Sequence, residues 1–254
     1  MSKDLGGKRA LVTGASRGIG RAITLELAEA GCDVIGVARS GDALVRLGAE
    51  VESLGSKFLA VELDVAEPAD IPAGIARAWD WQDGIDVLVN VAGVIIRSGP
   101  LEVTAEEWDR TFAVNVRGTY FVTQSVGRRM LAGDGGSVVT VTSLAGETVT
   151  RASVSYQASK AALIQLTRAL AVHWAPRVRV NAVAPGYVRT DLNAAWLDDE
   201  ENSAYVLGKT PLGRVGEPRD VASAVRFLAS PEASYVTGQN LRCLLYTSPS
   251  PRDS

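Results

Sequence analysis

The chain has 254 residues, 46% of them hydrophobic, which is enough for one large α/β domain or two small ones around a buried core. Its 26 basic and 29 acidic residues leave a net charge of −3 without the basic stripe that a phosphate backbone requires, so nucleic acid is excluded as an expected partner. No apolar run of about 18 residues and no leader-like N-terminus is present, so the expectation is a cytoplasmic protein off the membrane; two cysteines, Cys32 and Cys243, and one histidine, His173, leave no basis for a disulfide framework, a metal site or a Ser-His-Asp mechanism.

In chain order, short β-branched runs alternate with longer segments of helical periodicity. The runs are RALVTG, CDVIGVA, KFLAVEL, IDVLVNVAG, GSVVTVTS, VRVNAVAP and TGQNLR. Helices are predicted to start near Gly18, Asp42, Pro68, Thr104, Ser153 and Glu217. Alternation of this kind predicts βαβ units around a parallel sheet, and continuous apolar runs suit strands covered on both faces. The expected fold class is α/β: one doubly wound Rossmann-type domain over residues 1–242, with a seven-stranded parallel sheet and helices on both faces. A long polar connection, about 189–216, breaks the alternation and is predicted to form a small helical lid over a ligand, or else a solvated excursion.

The first strand runs into LVTGASRGIGRAI, where Gly14, Gly18 and Gly20 mark a sharp turn into a helix. Glycine there lets the backbone approach a diphosphate, and the helix N-terminus offers free N–H groups and a partial positive charge; Ser16, Arg17 and Ile19 belong to the same loop. Where an acidic residue would read the ribose 2′-hydroxyl, the second strand instead ends in Ala38 and Arg39. With Arg17 close by, two guanidiniums and no carboxylate favour NADP(H), with NAD(H) possible if Arg39 stacks on adenine or faces solvent. Asp64 in LDV, beside Val65, ends the third strand, where it could accept from the adenine amino group or cap its own loop.

After the seventh run the composition changes to CLLYTSPSPRDS. Cys243 to Asp253 can be written in codons as one frame of a transposase sequencing adapter, so residues 243–254 are expected to be an artefact outside the domain. A tail exposing Leu244 and Leu245 is expected to reduce solubility and to weaken a subunit interface.

In SYQASK, Tyr156 and Lys160 fall four residues apart on a predicted helix, hence on one face. Together with the glycine loop, this segment resembles the short-chain dehydrogenase/reductase family. The resemblance spans about Gly7 to Arg242 and includes TGASRGIG, NVAG (Asn90, Ala92, Gly93), the asparagine of AVNVRG (Asn115), Thr142-Ser143, YQASK and PGYVRT. Val91 departs from it, standing where the family usually has a second asparagine, and so does the missing Asp-Gly-Gly after the last strand. The resemblance implies that Tyr156 is the general acid/base, that Lys160 lowers its pKa and holds the nicotinamide ribose, that Ser143 holds the substrate oxygen, and that Asn115 positions a proton-relaying water. Asn90, Ala92 and Gly93, with Pro185, Gly186, Val188 and Thr190 at the nicotinamide end, would contact the cofactor. A phenol titrating near 10 becomes a useful base only when nearby positive charge lowers it.

The implied activity is NAD(P)-dependent interconversion of a secondary alcohol and a ketone on a small molecule, by a homotetramer. AGVIIR, AWLDDEENSAY and GCDVIG resemble the sugar-acid branch, with Arg97 and Arg151 as candidate partners for a substrate carboxylate. The chain is also similar to 3-oxoacyl-carrier-protein reductases, and a nucleotide-binding sensor or scaffold without turnover is the alternative of another class. His173 and the tryptophans Trp79, Trp81, Trp108 and Trp174 are expected to pack in core or interface, whereas Trp196 lies in the lid, where substrate contacts would arise.

Overall fold

A computed structural model of the protein describes residues 4–191 and 193–243. The sequence prediction for the tail therefore falls, beyond Cys243, outside the described residues. Seven parallel strands form one sheet in the order β3-β2-β1-β4-β5-β6-β7. They are β1 (Arg9–Thr13), β2 (Asp33–Ala38), β3 (Phe58–Glu62), β4 (Val87–Asn90), β5 (Gly136–Val141), β6 (Val178–Ala184) and β7 (Asn240–Arg242). Strand order reverses between β1 and β4, so the connections leaving their carboxyl ends part to opposite sides and open a crevice there.

Two apolar clusters cover the two faces of the sheet. One packs α1 (Gly18–Glu29), α2 (Gly41–Ser53) and α9 (Pro218–Ala229) against it through Ile23, Leu27, Leu44, Leu47, Val221 and Val225. The other packs α3 (Ile71–Asp80), α5 (Thr119–Ala132) and the end of α6 (Val154–Trp174) through Ile71, Ile75, Val122, Val126, Met130 and Ala171. Burial on both sides explains why the strands read as unbroken apolar runs.

The predicted helix starts are met closely, except that the one expected near Pro68 begins at Ile71 after a turn. The helix predicted from Thr104 is more complex than its periodicity implied. Thr104 caps α4 (Ala105–Phe112) through a reciprocal box with Glu107. The helix then widens into a π-helical segment, Ala113–Gly118, before continuing as α5. The extra residue per turn lets Asn115 face inward from the middle of a continuous helix.

The connection after β6 closes at its base, where Val188 pairs with Gly216 and Arg189 N donates to Gly216 O at 2.9 Å. Between these points lie α7 (Ala194–Leu197) and α8 (Glu200–Gly208), anchored by the buried Leu197 and Val206. The predicted excursion is thus a helical flap with its own apolar footing. Among the described residues, no helix is long and apolar enough to cross a membrane and no cluster of potential ligands could hold a metal ion. His173 lies outside the core, exposed near the C-terminus of α6.

Candidate active site

A cleft of about 680 Å3 runs along the carboxyl edge of the sheet, within the ordinary size of a cofactor or ligand site. At one end lies the glycine loop. Gly14 sits at φ +67, and a Cβ there would come within 2.9 Å of the Ala92 backbone, so β1 and the segment after β4 approach each other too closely for a side chain. Gly20 is tighter still, with a Cβ falling 2.1 Å from Gly14 O. Arg17 occupies the N-cap of α1 without capping it through its side chain, and the first turn carries no acidic residue. That leaves an uncapped, positive helix end facing the cleft beside Gly18 and Ile19, a fitting seat for a dinucleotide's diphosphate.

Arg17, Arg39 and a third guanidinium, Arg46 of α2, are exposed on the rim next to this loop. Arg46 was missed in the sequence because it belongs to a helical turn, one of whose residues only the fold turns toward the cleft. Asp64 divides its carboxylate. Oδ1 accepts from Ala66 N at 2.9 Å, which is the loop-capping alternative, while Oδ2 lies 4.0 Å from Arg39 and 3.8 Å from Arg110. Arg110, on α4, is another lining residue that the sequence did not point to.

At the inner end, β5 delivers Ser143 and α6 delivers Tyr156 and Lys160. Ser143 starts the 3-10 turn Leu144–Gly146, and its Oγ accepts from Ala145 N at 3.1 Å. This turn lies directly on α6: a Cβ on Gly146 would fall 2.7 Å from the backbone of Lys160. Lys160 is 5% exposed; its Nζ donates to Val141 O at 2.9 Å and stands 5.7 Å from the centroid of the Tyr156 ring. The helical spacing therefore places amine and phenol on one face, yet the amine's hydrogen bond goes to the strand carbonyl. Burial pushes the Tyr156 phenol up, against the opposing influence of the Ser143 hydroxyl and the Arg97 charge. The same burial brings the Lys160 ammonium down to about 8. In this structure Lys160 is not among the groups that lower the phenol, so the expected lowering needs positive charge from elsewhere.

The structure brings Gly14, Ser16, Arg17, Gly18, Ile19, Gly20, Arg39, Asp64, Val65, Ala92, Gly93, Ser143, Tyr156, Lys160, Pro185, Gly186, Val188 and Thr190 into the one cleft. It does not bring Asn90 and Asn115 to the lining. Asn90 ends β4 with its amide engaged away from the cleft, where Nδ2 donates to Thr123 Oγ1 at 2.8 Å. Asn115 is fully buried behind Gly93: it accepts from Val94 N at 2.8 Å and donates to Val94 O and to Ser159 Oγ, each at 3.0 Å. Its amide is committed to bracing the segment after β4. Val91, the departure from the family pattern, is tied through its own N–H to Thr13 Oγ1 at 3.1 Å.

The flap contributes aromatic rings and the strand connections contribute arginines. Arg97 lies over Trp196, 5.1 Å from the ring centroid, and Trp196 stacks on Tyr187 at 5.8 Å. Tyr187 meets Tyr205 edge-on, and Arg151 covers Tyr205 at 4.0 Å while reaching Glu201 at 3.5 Å. Burial and the neighbouring Tyr205 push the Tyr187 phenol up to about 12, so it remains a neutral donor at working pH. Trp196 lines the cleft as its place in the flap implied; Trp79, Trp81 and Trp174 pack on the core, and Trp108 stacks on Phe112 at 4.9 Å.

A cleft whose helix mouth fits a diphosphate and which leads to a phenol beside a buried amine has the layout of a nicotinamide-dependent oxidoreductase. Comparison with known proteins narrows that class. Residues 14–243 match the family profile described as Enoyl-(Acyl carrier protein) reductase. A 3-oxoacyl-acyl-carrier-protein reductase of Vibrio cholerae is 41% identical, over 94% of this chain and 96% of its own. A 2-dehydro-3-deoxy-D-gluconate 5-dehydrogenase of Pseudoalteromonas atlantica is also 41% identical, over 92% and 93%. Among solved structures, a gluconate 5-dehydrogenase of Burkholderia cenocepacia in complex with NADP and tartrate superposes with a TM-score of 0.90 at 34% identity, covering 94% of each chain. The chain belongs to the short-chain dehydrogenase/reductase family and is an NAD(P)-dependent oxidoreductase.

Proposed function

We propose that the protein interconverts a secondary alcohol and a ketone on a sugar acid or polyol, with NADP(H) preferred over NAD(H). One observation carries this reading. Ser143, Tyr156 and Lys160 share a cleft whose far rim holds Arg17, Arg39 and Arg46 and whose mouth holds Arg97 and Arg151. The first arginine group suits a 2′-phosphate; the second suits a substrate carboxylate.

In this mechanism Ser143 Oγ donates to the substrate oxygen, keeping it within reach of the Tyr156 hydroxyl. In oxidation Tyr156 accepts the alcohol proton as the carbon–hydrogen bond breaks, and in reduction the same phenol returns it. The glycine loop, Arg17 and Arg39 would hold NADP(H), which when bound would supply hydride chemistry and, oxidised, positive charge that favours the Tyr156 phenolate. Lys160, freed from Val141 O, is the group best placed to bind the ribose. Asn115 holds the segment after β4 so that Gly93 and Val94 keep their place beside it.

The test is nicotinamide absorbance with NADPH or NADH against a panel of keto sugar acids, keto polyols and a 3-oxoacyl thioester. Tyr156→Phe is expected to lower kcat by about 10²–10⁴ without loss of NADPH binding. Turnover undiminished in that variant refutes the role given to Tyr156, whereas NADPH binding without turnover of any ketone by the unaltered protein refutes the reading and leaves a nucleotide-binding scaffold. A second reading, reduction of 3-oxoacyl groups on an acidic carrier, is favoured by similarity to the Vibrio cholerae enzyme, and preferential turnover of the thioester would establish it. The family's habit of forming tetramers supports a homotetramer, which light scattering on the purified protein tests.

A further inference from the structure

We propose that Asn240, on the last strand, is a positioning residue for Ser143, acting with Glu147 through the segment that carries the serine. The inference rests on Ser143 as the donor to the substrate oxygen. Ser143 lies between two points held by a single side chain. Just before it, the single hydrogen of Thr142 Oγ1 is shared between Asn240 Oδ1, 2.8 Å away, and Val183 O, 3.0 Å away. Just after its 3-10 turn, Glu147 Oε1 accepts from Asn240 Nδ2, also at 2.8 Å. Both ends of the six-residue stretch from Thr142 to Glu147 thus converge on one amide from β7. Arg242, two residues further along β7, donates from Nε to the other oxygen of Glu147.

The reach from this staple to the hydroxyl is short. Glu147 N donates to Leu144 O at 2.9 Å, closing the turn, and the turn's Ala145 N donates to Ser143 Oγ at 3.1 Å. The serine's rotamer is therefore read off the turn, and its own hydrogen points to the Tyr156 hydroxyl, from which a substrate oxygen placed between the two would take it. The rest of the turn is held independently: Leu144 N donates to Pro185 O at 3.0 Å, and Gly146 lies on α6. Between Leu144 and Glu147, only the Glu147 end depends on β7. Burial tends to raise the Glu147 carboxyl, but the hydrogen bonds from Asn240 and Arg242 outweigh it and hold the group below the usual range, so the staple is ionised at working pH. The ladder between β6 and β7 already pairs Ala182 with Asn240 and Ala184 with Arg242, so the last strand has its backbone partner without this side chain.

The test compares Asn240→Leu, Thr142→Val and the paired swap Asn240→Asp with Glu147→Gln in the full chain, each with Ser143 present and in a Ser143→Ala background. kcat and KM for the best ketone of the panel and NADPH binding by fluorescence are measured. Asn240→Leu is expected to lower kcat about tenfold, since a misplacement near 1 Å costs up to about 10²-fold, and to leave the NADPH Kd within about twofold. In the Ser143→Ala background it should lower kcat little further, because residues acting as a unit are not additive. In the swap, the carboxylate at position 240 accepts from Thr142 Oγ1 and from the amide at position 147, so most of kcat returns. Equal losses in both backgrounds, or a swap that recovers melting temperature but not kcat, overturn the proposal and make Asn240 an edge brace. If Asn240→Leu does not fold, Thr142→Val, which removes one hydroxyl, decides by the same comparison. Full kcat in Ser143→Ala alone is a separate result: it refutes the role of Ser143 and the positioning proposal with it.

Discussion

Replacing Lys160 with methionine should stabilise the protein at neutral pH while abolishing its activity. The amine is 5% exposed and titrates at about 8 instead of the free-lysine value of 10.5. That depression corresponds to roughly 3 kcal/mol against the folded, protonated form. Because the folded pKa lies below the unfolded one, the unfolded chain binds more protons between about pH 8 and pH 10.5, and stability rises with pH across that window. The cost is full below about pH 8 and gone above about pH 10.5. Lys160→Met removes it, but also removes the bond from Nζ to Val141 O, worth about 1.5–3 kcal/mol as a charged donor. The net expectation is a gain of about 0.5–2 kcal/mol at pH 7. By about pH 9.5 the wild type regains roughly 2 kcal/mol, so the difference closes and reverses. Urea midpoints followed by tryptophan fluorescence, taken on both proteins without cofactor across that range, read the difference with other titrations cancelled. A gap between the two proteins that does not change with pH would show that Lys160 is not a buried, strained cation and would refute the reasoning.

Arg39→Ala is expected to raise KM for NADPH about 10–100-fold, the worth of a charge-assisted phosphate contact, and to leave KM for NADH nearly unchanged. Steady-state assays with each cofactor check it, and equal effects on both would assign Arg39 to adenine or to Asp64, 4.0 Å away. Arg97→Ala is expected to raise KM about tenfold for a keto sugar acid and little for a neutral ketone. Equal effects would mean that Arg97 serves Trp196, over whose ring it lies, rather than a carboxylate.

Much of this architecture was legible because its signals are local. A strand buried on both faces must be apolar throughout, and all seven runs became strands of one parallel sheet. Glycines at Gly14 and Gly20 are forced by backbone contact that a sequence motif records directly. What stayed hidden depends on pairings distant in sequence. The π-helical widening at Ala113–Gly118 leaves the apolar periodicity almost intact, so the family resemblance, not the spacing, singled out Asn115. Arg46 and Arg110 reach the cleft from helices whose rotation only packing sets. The partner of the Asn90 amide was equally hidden: its motif points to the cofactor edge, while the donor bond from Nδ2 to Thr123 joins residues 33 apart in the chain. Tyr156 and Lys160 were correctly put on one face, but the strand carbonyl that claims the amine cannot be read from their spacing.

The reversal of strand order between β1 and β4 has a practical corollary for anyone wishing to repurpose this protein. Residues that would choose a nucleotide hang from β1, β2 and their helices, whereas those that would choose and transform a substrate hang from β5, α6 and the flap. Changes made on one bank of the crevice share few neighbours with changes on the other, so their effects should combine with little interference. Altered coenzyme preference and altered substrate range can therefore be selected in separate libraries and joined afterwards in a single gene.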